Sequence, residues 1–129
     1  MRLPIVIAVL VAASPLLAEA PPALDLHFDV PQDKGPQQVN TLVREFPVGG
    51  SSGWHVHPGV EIAYLVTGEM TLEQAGLPTR MLHPGDSFLV PRGLAHNGAN
   101  VGKVPARLVI TYVYDKDAPL RTPLPAPAP

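Results

Sequence analysis

Between Gly49 and Gly68 the chain reads GGSSGWHVHPGVEIAYLVTG. His55 and His57 stand one residue apart, and Glu61 follows four positions after the second. In an extended strand, residues two apart project to the same face. His55 and His57 therefore point one way, and Trp54 and Val56 the other. Pro58-Gly59 turns the chain, and Glu61 opens the next strand beside the histidines. Two imidazoles and a carboxylate on one wall suit a first-row divalent metal; taken alone, the string also fits a polar loop. By the same parity Ala63 and Leu65 share the inward face of Glu61, leaving space for an organic ligand near a metal.

Outward from this stretch, short apolar segments alternate with turn residues. Strands are expected near Val39–Phe46, Gly53–His57, Glu61–Thr67, Glu69–Gln74, Thr79–Leu82, Ser87–Val90, Ala95–Ala99 and Ala106–Tyr114. Gly49-Gly50, Pro58-Gly59, Gly68, Ala75-Gly76, Pro84-Gly85 and Gly102 separate them. Many short strands at this spacing predict an all-β sandwich or barrel. Seventeen prolines and eleven glycines agree with turns and extended segments rather than long helices.

The second half carries a matching string. Gly85 is followed after five residues by Pro91, then by Gly93, His96 and Asn100. The first half has Gly49, His55, His57, Glu61 and Gly68 in a comparable frame. Together the two strings resemble the paired motifs of the cupin superfamily over roughly Val39 to Tyr114. The short stretch between them, Glu69 to Pro84, is like that of small bacterial single-domain cupins of the conserved-barrel type. The resemblance implies an antiparallel jelly-roll β-barrel of six to eight strands with a metal in its mouth. It makes His55, His57, Glu61 and His96 the four ligands of an open site. It gives Gly68, Gly85 and Gly93 to turns, Pro91 to a strand end, and Asn100 to tying loop backbone. Three imidazoles and one carboxylate suit a divalent transition metal: iron, manganese, zinc, copper, nickel or cobalt. Members of this superfamily include oxygenases, decarboxylases, isomerases, lyases and plain binding proteins, so the resemblance leaves the reaction open.

Composition narrows the partners. The 129 residues suffice for one domain, and 46% hydrophobic content supports a core. A net charge of −2 with no basic run excludes nucleic acid. There is no cysteine, so a metal must be held by nitrogen and oxygen. Arg2, the apolar run Ile5 to Ala13 and the small-residue exit through Ala18 and Ala20 form a secretory signal pattern, too short to span a membrane. The expected organisation is a signal peptide over 1–20 with cleavage near 18–20, and a proline-rich lead-in over 21–38. A barrel over 39–116 and a disordered proline-rich tail over 117–129 follow. Such a protein is periplasmic or secreted and free of the membrane once the signal is removed. The Trp54/Val56 side, opposite the ligands, must be covered, and a homodimer would do so.

The remaining candidates fit ordinary roles. His83 reads as an exposed turn histidine, His27 as part of the lead-in, and Tyr112 and Tyr114 as sheet packing. Arg44 and Arg92 have the chemistry to anchor an anionic substrate, although surface arginines are commoner. The expected function is metal-dependent action on a small oxygen-rich organic molecule, with non-catalytic ligand binding as the alternative. No residue declares itself as a general acid or base, so whether the protein is an enzyme stays open at this point.

Overall fold

The hydrophobic alternation of the sequence survives as strand geometry. Along β8 (Ala106–Asp115) every second residue from Ala106 to Tyr114 is buried, and those between are exposed or half-buried. This is the period-2 pattern of a strand with one face on a core. The computed structural model describes residues 35–127. The signal segment, its cleavage site, His27 and the first part of the lead-in lie outside the described residues. The other strands are β1 (Gln37–Phe46), β2 (His55–Val56), β3 (Gly59–Thr67), β4 (Met70–Gln74), β5 (Arg80–Leu82), β6 (Ser87–Val90), β7 (His96–Asn100) and β9 (Thr122–Pro123).

All pairings are antiparallel, in two sheets. One has four strands in the order β1-β8-β3-β6, and the other five in the order β5-β4-β7-β2-β9. Their inner faces meet over Ala63 and Leu65 of β3, Met70 and Leu72 of β4, and Leu108 and Ile110 of β8, all buried. Fully burying an aliphatic side chain contributes about 1.5–3 kcal/mol, so this contact surface is the main source of stability.

The expected closed jelly-roll barrel is corrected. Among the described residues no ladder joins an edge of one sheet to an edge of the other, and the fold is an open two-sheet, cupin-like arrangement. The reason is local chemistry at the corners. Pro47, Pro58, Pro84, Pro91 and Pro105 stand where strands would continue from one sheet into the next, and proline has no N–H for a ladder bond. The edge strands β5 and β9 have only three and two residues. They are too short to bend round and pair again.

Two glycines are required by close approach. A Cβ at Gly59 would lie 2.1 Å from the Val113 carbonyl oxygen on the neighbouring strand. Gly68 has φ +85°, and a Cβ there would lie 2.6 Å from the Cα of Ala106. Asn100 does the tying role expected of it. Its buried amide donates to the Phe46 and Val104 carbonyls at 3.0 and 2.9 Å, and its Oδ1 accepts from the Gly102 N–H at 2.9 Å. A buried amide satisfied on both ends rigidifies the loop it spans.

The tail departs from expectation in one respect. From Arg121 onward its described residues are exposed, yet Thr122 and Pro123 pair with Val56 and His55, and the Leu124 N–H donates to the Trp54 carbonyl at 2.9 Å. Leu120 packs against the core. Pro123 is tolerated because β9 is an edge strand. The backbone beside Trp54 and Val56 is thus covered by the chain's own C-terminal segment.

Candidate metal centre

Strand pairing brings residues distant in sequence to one end of the sandwich. His55 of β2 stands opposite His96 of β7 in one sheet. In the other, Glu61 of β3 stands opposite Tyr112 of β8. His57 lies in the link between β2 and β3, so the cluster bridges the two sheets. His55, His57, Glu61 and His96 are all buried, and one ligand atom from each lies within 4.8 Å of the others. Ligands on opposite sides of an ion, each about 2.1 Å from it, would be about 4.2 Å apart. The cluster would need to contract by only about half an ångström to hold one ion.

The imidazoles are oriented by backbone. His55 Nδ1 is 2.7 Å from the Gly53 carbonyl oxygen, His57 Nδ1 is 2.6 Å from that of Leu120, and His96 Nδ1 is 3.0 Å from that of Leu94. A carbonyl only accepts, so each Nδ1 carries the hydrogen and each Nε2 is left with a lone pair for a metal. His57 Nε2 lies 2.8 Å from Glu61 Oε2 but makes no well-aligned hydrogen bond, and it is an orphaned buried polar atom. His96 Nε2 is 3.2 Å from the same carboxylate oxygen. Three buried Nε2 lone pairs beside one buried carboxylate lack a positive charge at their centre. A divalent cation supplies it, and the donor set fits that group.

Burial is the largest influence on Glu61 and favours its neutral form. When His57 and His96 carry a proton on Nε2 as well, their hydrogen bonds and charge together outweigh it, holding the carboxyl at about 2 instead of 4.5. Burial lowers His55 from 6.5 to about 4; its bond to Gly53 opposes the shift, while His96, His57 and Arg121 add to it. Both shifts predict acid sensitivity of the metal-free protein. Between pH 6.5 and 4 the unfolded chain protonates His55 while the folded chain does not, so stability falls with pH. Integrated over that window the loss is up to about 3 kcal/mol. Between 4.5 and 2, Glu61 acts in the same direction. Urea denaturation of chelated protein at pH 7 and pH 4 measures this. Equal stability at the two values would show that His55 titrates normally.

Other residues divide clearly. His83 is exposed, with Nδ1 3.8 Å from Asp86 Oδ2, and stands apart from the cluster. Arg92 is held by Asp115 through contacts of 2.8 and 2.7 Å, which lower the Asp115 carboxyl below its ordinary range. Arg44 instead lines the space beside the ligands. That space is bounded by Phe88, Leu108, Ile110 and Tyr112 as well. Tyr112 is more than packing. Its ring lies 4.8 Å from that of His57, and burial, with the Glu61 charge nearby, pushes its phenol well above the ordinary 10. The phenol therefore keeps its proton at working pH. Strand parity alone aligned Tyr112 with the inward residues of β8, but its place beside Glu61 depends on the β3–β8 register.

Comparison with known proteins agrees with this geometry. Oxalate oxidase 2 of Hordeum vulgare is 37% identical over 76 residues, covering 53% of this chain and 34% of that protein. Germin-like protein 3-3 of Oryza sativa subsp. japonica is 36% identical over 76 residues, with the same coverage. The solved structure of a recombinant oxalate oxidase in complex with glycolate superposes with a TM-score of 0.59 at 29% identity, covering 66% of this chain and 45% of that one. The chain thus spans about a third of the length of these two curated relatives. The expected kinship with specifically bacterial small cupins is corrected by these plant relatives. The motif positions serve turns and metal ligation, which any lineage needs, and so carry no lineage signal. Residues 42–112, more than half of the chain, match the Cupin domain family, and the chain belongs to it.

Proposed function

We propose that this chain acts on a small organic acid of the oxalate type at a divalent metal held by His55, His57, Glu61 and His96. The observation carrying the proposal is the set of three carbonyl-clamped histidines and one carboxylate, beside a space lined by Arg44 and Tyr112. Relatives bearing the name oxalate oxidase support the substrate class. A divalent ion held by these residues would supply Lewis acidity toward a carboxylate.

The chain's own residues do the rest. The imidazoles coordinate in their neutral form, and the single Glu61 charge leaves a divalent site with net positive charge that favours an anion. Leu108, Ile110 and Phe88 exclude water from one side, which strengthens electrostatic contacts inside. Tyr112, with its proton retained, offers a hydrogen-bond donor at the wall of the space. The proposal includes a periplasmic or secreted location after removal of the signal segment, and a homodimer, both resting on the sequence alone.

Metal-loaded protein supplied with oxalate and dioxygen tests the reading. An oxidase consumes one oxalate dianion, one dioxygen and two protons, and releases two carbon dioxide and one hydrogen peroxide. Carbon dioxide with formate and no net dioxygen uptake indicates a decarboxylase instead. Saturable retention of oxalate with no product is the result expected of a binding module. No binding by any metal-loaded form overturns the proposal.

A further inference from the structure

The space beside the ligands shares Arg44, Phe46 and Ser52 with a second, outer recess, which Arg121 also borders. Arg44 occupies an inward position of β1. Its neighbours two residues away, Leu42 and Phe46, pack against or within the core, and its cross-strand partner is the buried Leu108. An aliphatic residue would serve packing at such a place. The arginine instead extends its head group past the Phe46 ring, 5.8 Å from the centroid, toward solvent at the mouth.

Arg121 reaches the same place from the C-terminal segment, where it donates to the Ser52 carbonyl. Arg44 and Ser52 border both spaces, and Arg121 borders the outer one. Among the described residues neither arginine forms an ion pair. The carboxylate bordering the outer space, Glu45, lies 3.9 Å from Arg107 and has the outward parity on β1.

We propose that Arg44 and Arg121 form an anion subsite for the second carboxylate of a dicarboxylic acid whose first end is at the metal centre. The inference rests on the proposed function, in that it takes the centre to receive an organic acid. A guanidinium matches a carboxylate with two parallel N–H donors, and two of them bordering one space select an anion by charge and shape.

Glycolate and tartronate provide a matched pair of probes. Both present a hydroxyl and a carboxylate to the metal, and tartronate adds a second carboxylate on the same carbon. Zinc-loaded full-length protein, which cannot oxidise either, is titrated calorimetrically with each. Wild type is expected to bind tartronate about tenfold more tightly than glycolate. Arg44→Gln and Arg121→Gln should each shrink that ratio toward one, with glycolate affinity and zinc content nearly unchanged. Arg107→Gln, which removes an arginine that borders neither space, should leave the ratio as it is. An unchanged ratio in Arg44→Gln overturns the subsite while the metal-centred reading stands. Failure of wild type to bind either acid removes that reading itself, and the subsite with it.

Discussion

Alanine in place of His96 is expected to lower metal affinity by more than about a hundredfold. Loss of a mere orienting partner typically costs 10–100-fold, and His96 is itself a donor. The remaining three ligands could not relocate to compensate. His55 is pinned to the Gly53 carbonyl and His57 to that of Leu120, while Glu61 is fixed by β3 between β6 and β8. His55→Ala and His57→Ala should behave alike. Glu61→Gln should lose less, because an amide oxygen still coordinates, though without charge. Competition against a chromophoric chelator measures each affinity. Full occupancy in the double variant His57→Ala, His96→Ala would show that the ion binds elsewhere.

The second large effect comes from a segment that the sequence marks as dispensable. Deleting residues 118–129 should reduce metal affinity about 10–100-fold while leaving the far-ultraviolet spectrum of the two sheets largely intact. The deletion removes the Leu120 carbonyl, which holds His57 Nδ1 at 2.6 Å, and the pairing of β9 with β2 on which His55 lies. Leu120→Ala keeps the carbonyl and removes only the side chain, so it should retain most of the affinity. Full metal affinity in the deletion variant would mean that water replaces the carbonyl without loss. A disordered proline-rich tail would be dispensable, because prolines cannot donate ladder bonds. That premise is sound for Pro123, yet the tail acts mainly by accepting, through Leu120, and by the N–H of Leu124.

What could be seen in the sequence was whatever depends on local period. Alternation along β3, β4 and β8 follows from one face meeting the core, so those strands were legible within a residue or two. The four clustered side chains were legible because parity places His55 with His57 beside Glu61, and the resemblance to the cupin motifs adds His96. Features set by register between distant strands were not. Tyr112 gains its place only through its pairing opposite Glu61. Arg44 could have been found by noticing that it interrupts the inward series of Leu42 and Phe46, but its partnership with Arg121 joins segments far apart in the chain. Barrel closure depends on how strand ends meet. The prolines that prevent it were counted as turn residues, and their position relative to the other sheet was invisible.

The carbonyl that orients His57 comes from a residue 63 positions later in the chain. This fixes the order in which the site can be assembled. A chain emerging N-terminus first presents His55, His57 and Glu61 long before His96, and the Leu120 clamp after all four. Until then His57 is free to rotate. The pairing of β1 with β8, which aligns Gln37 with Asp115, is similarly remote. Folding dominated by such contacts takes on the order of milliseconds to seconds. Metal capture is accordingly a late event, completed after the sheets have formed, and a nascent chain has only loose imidazoles to offer a passing ion.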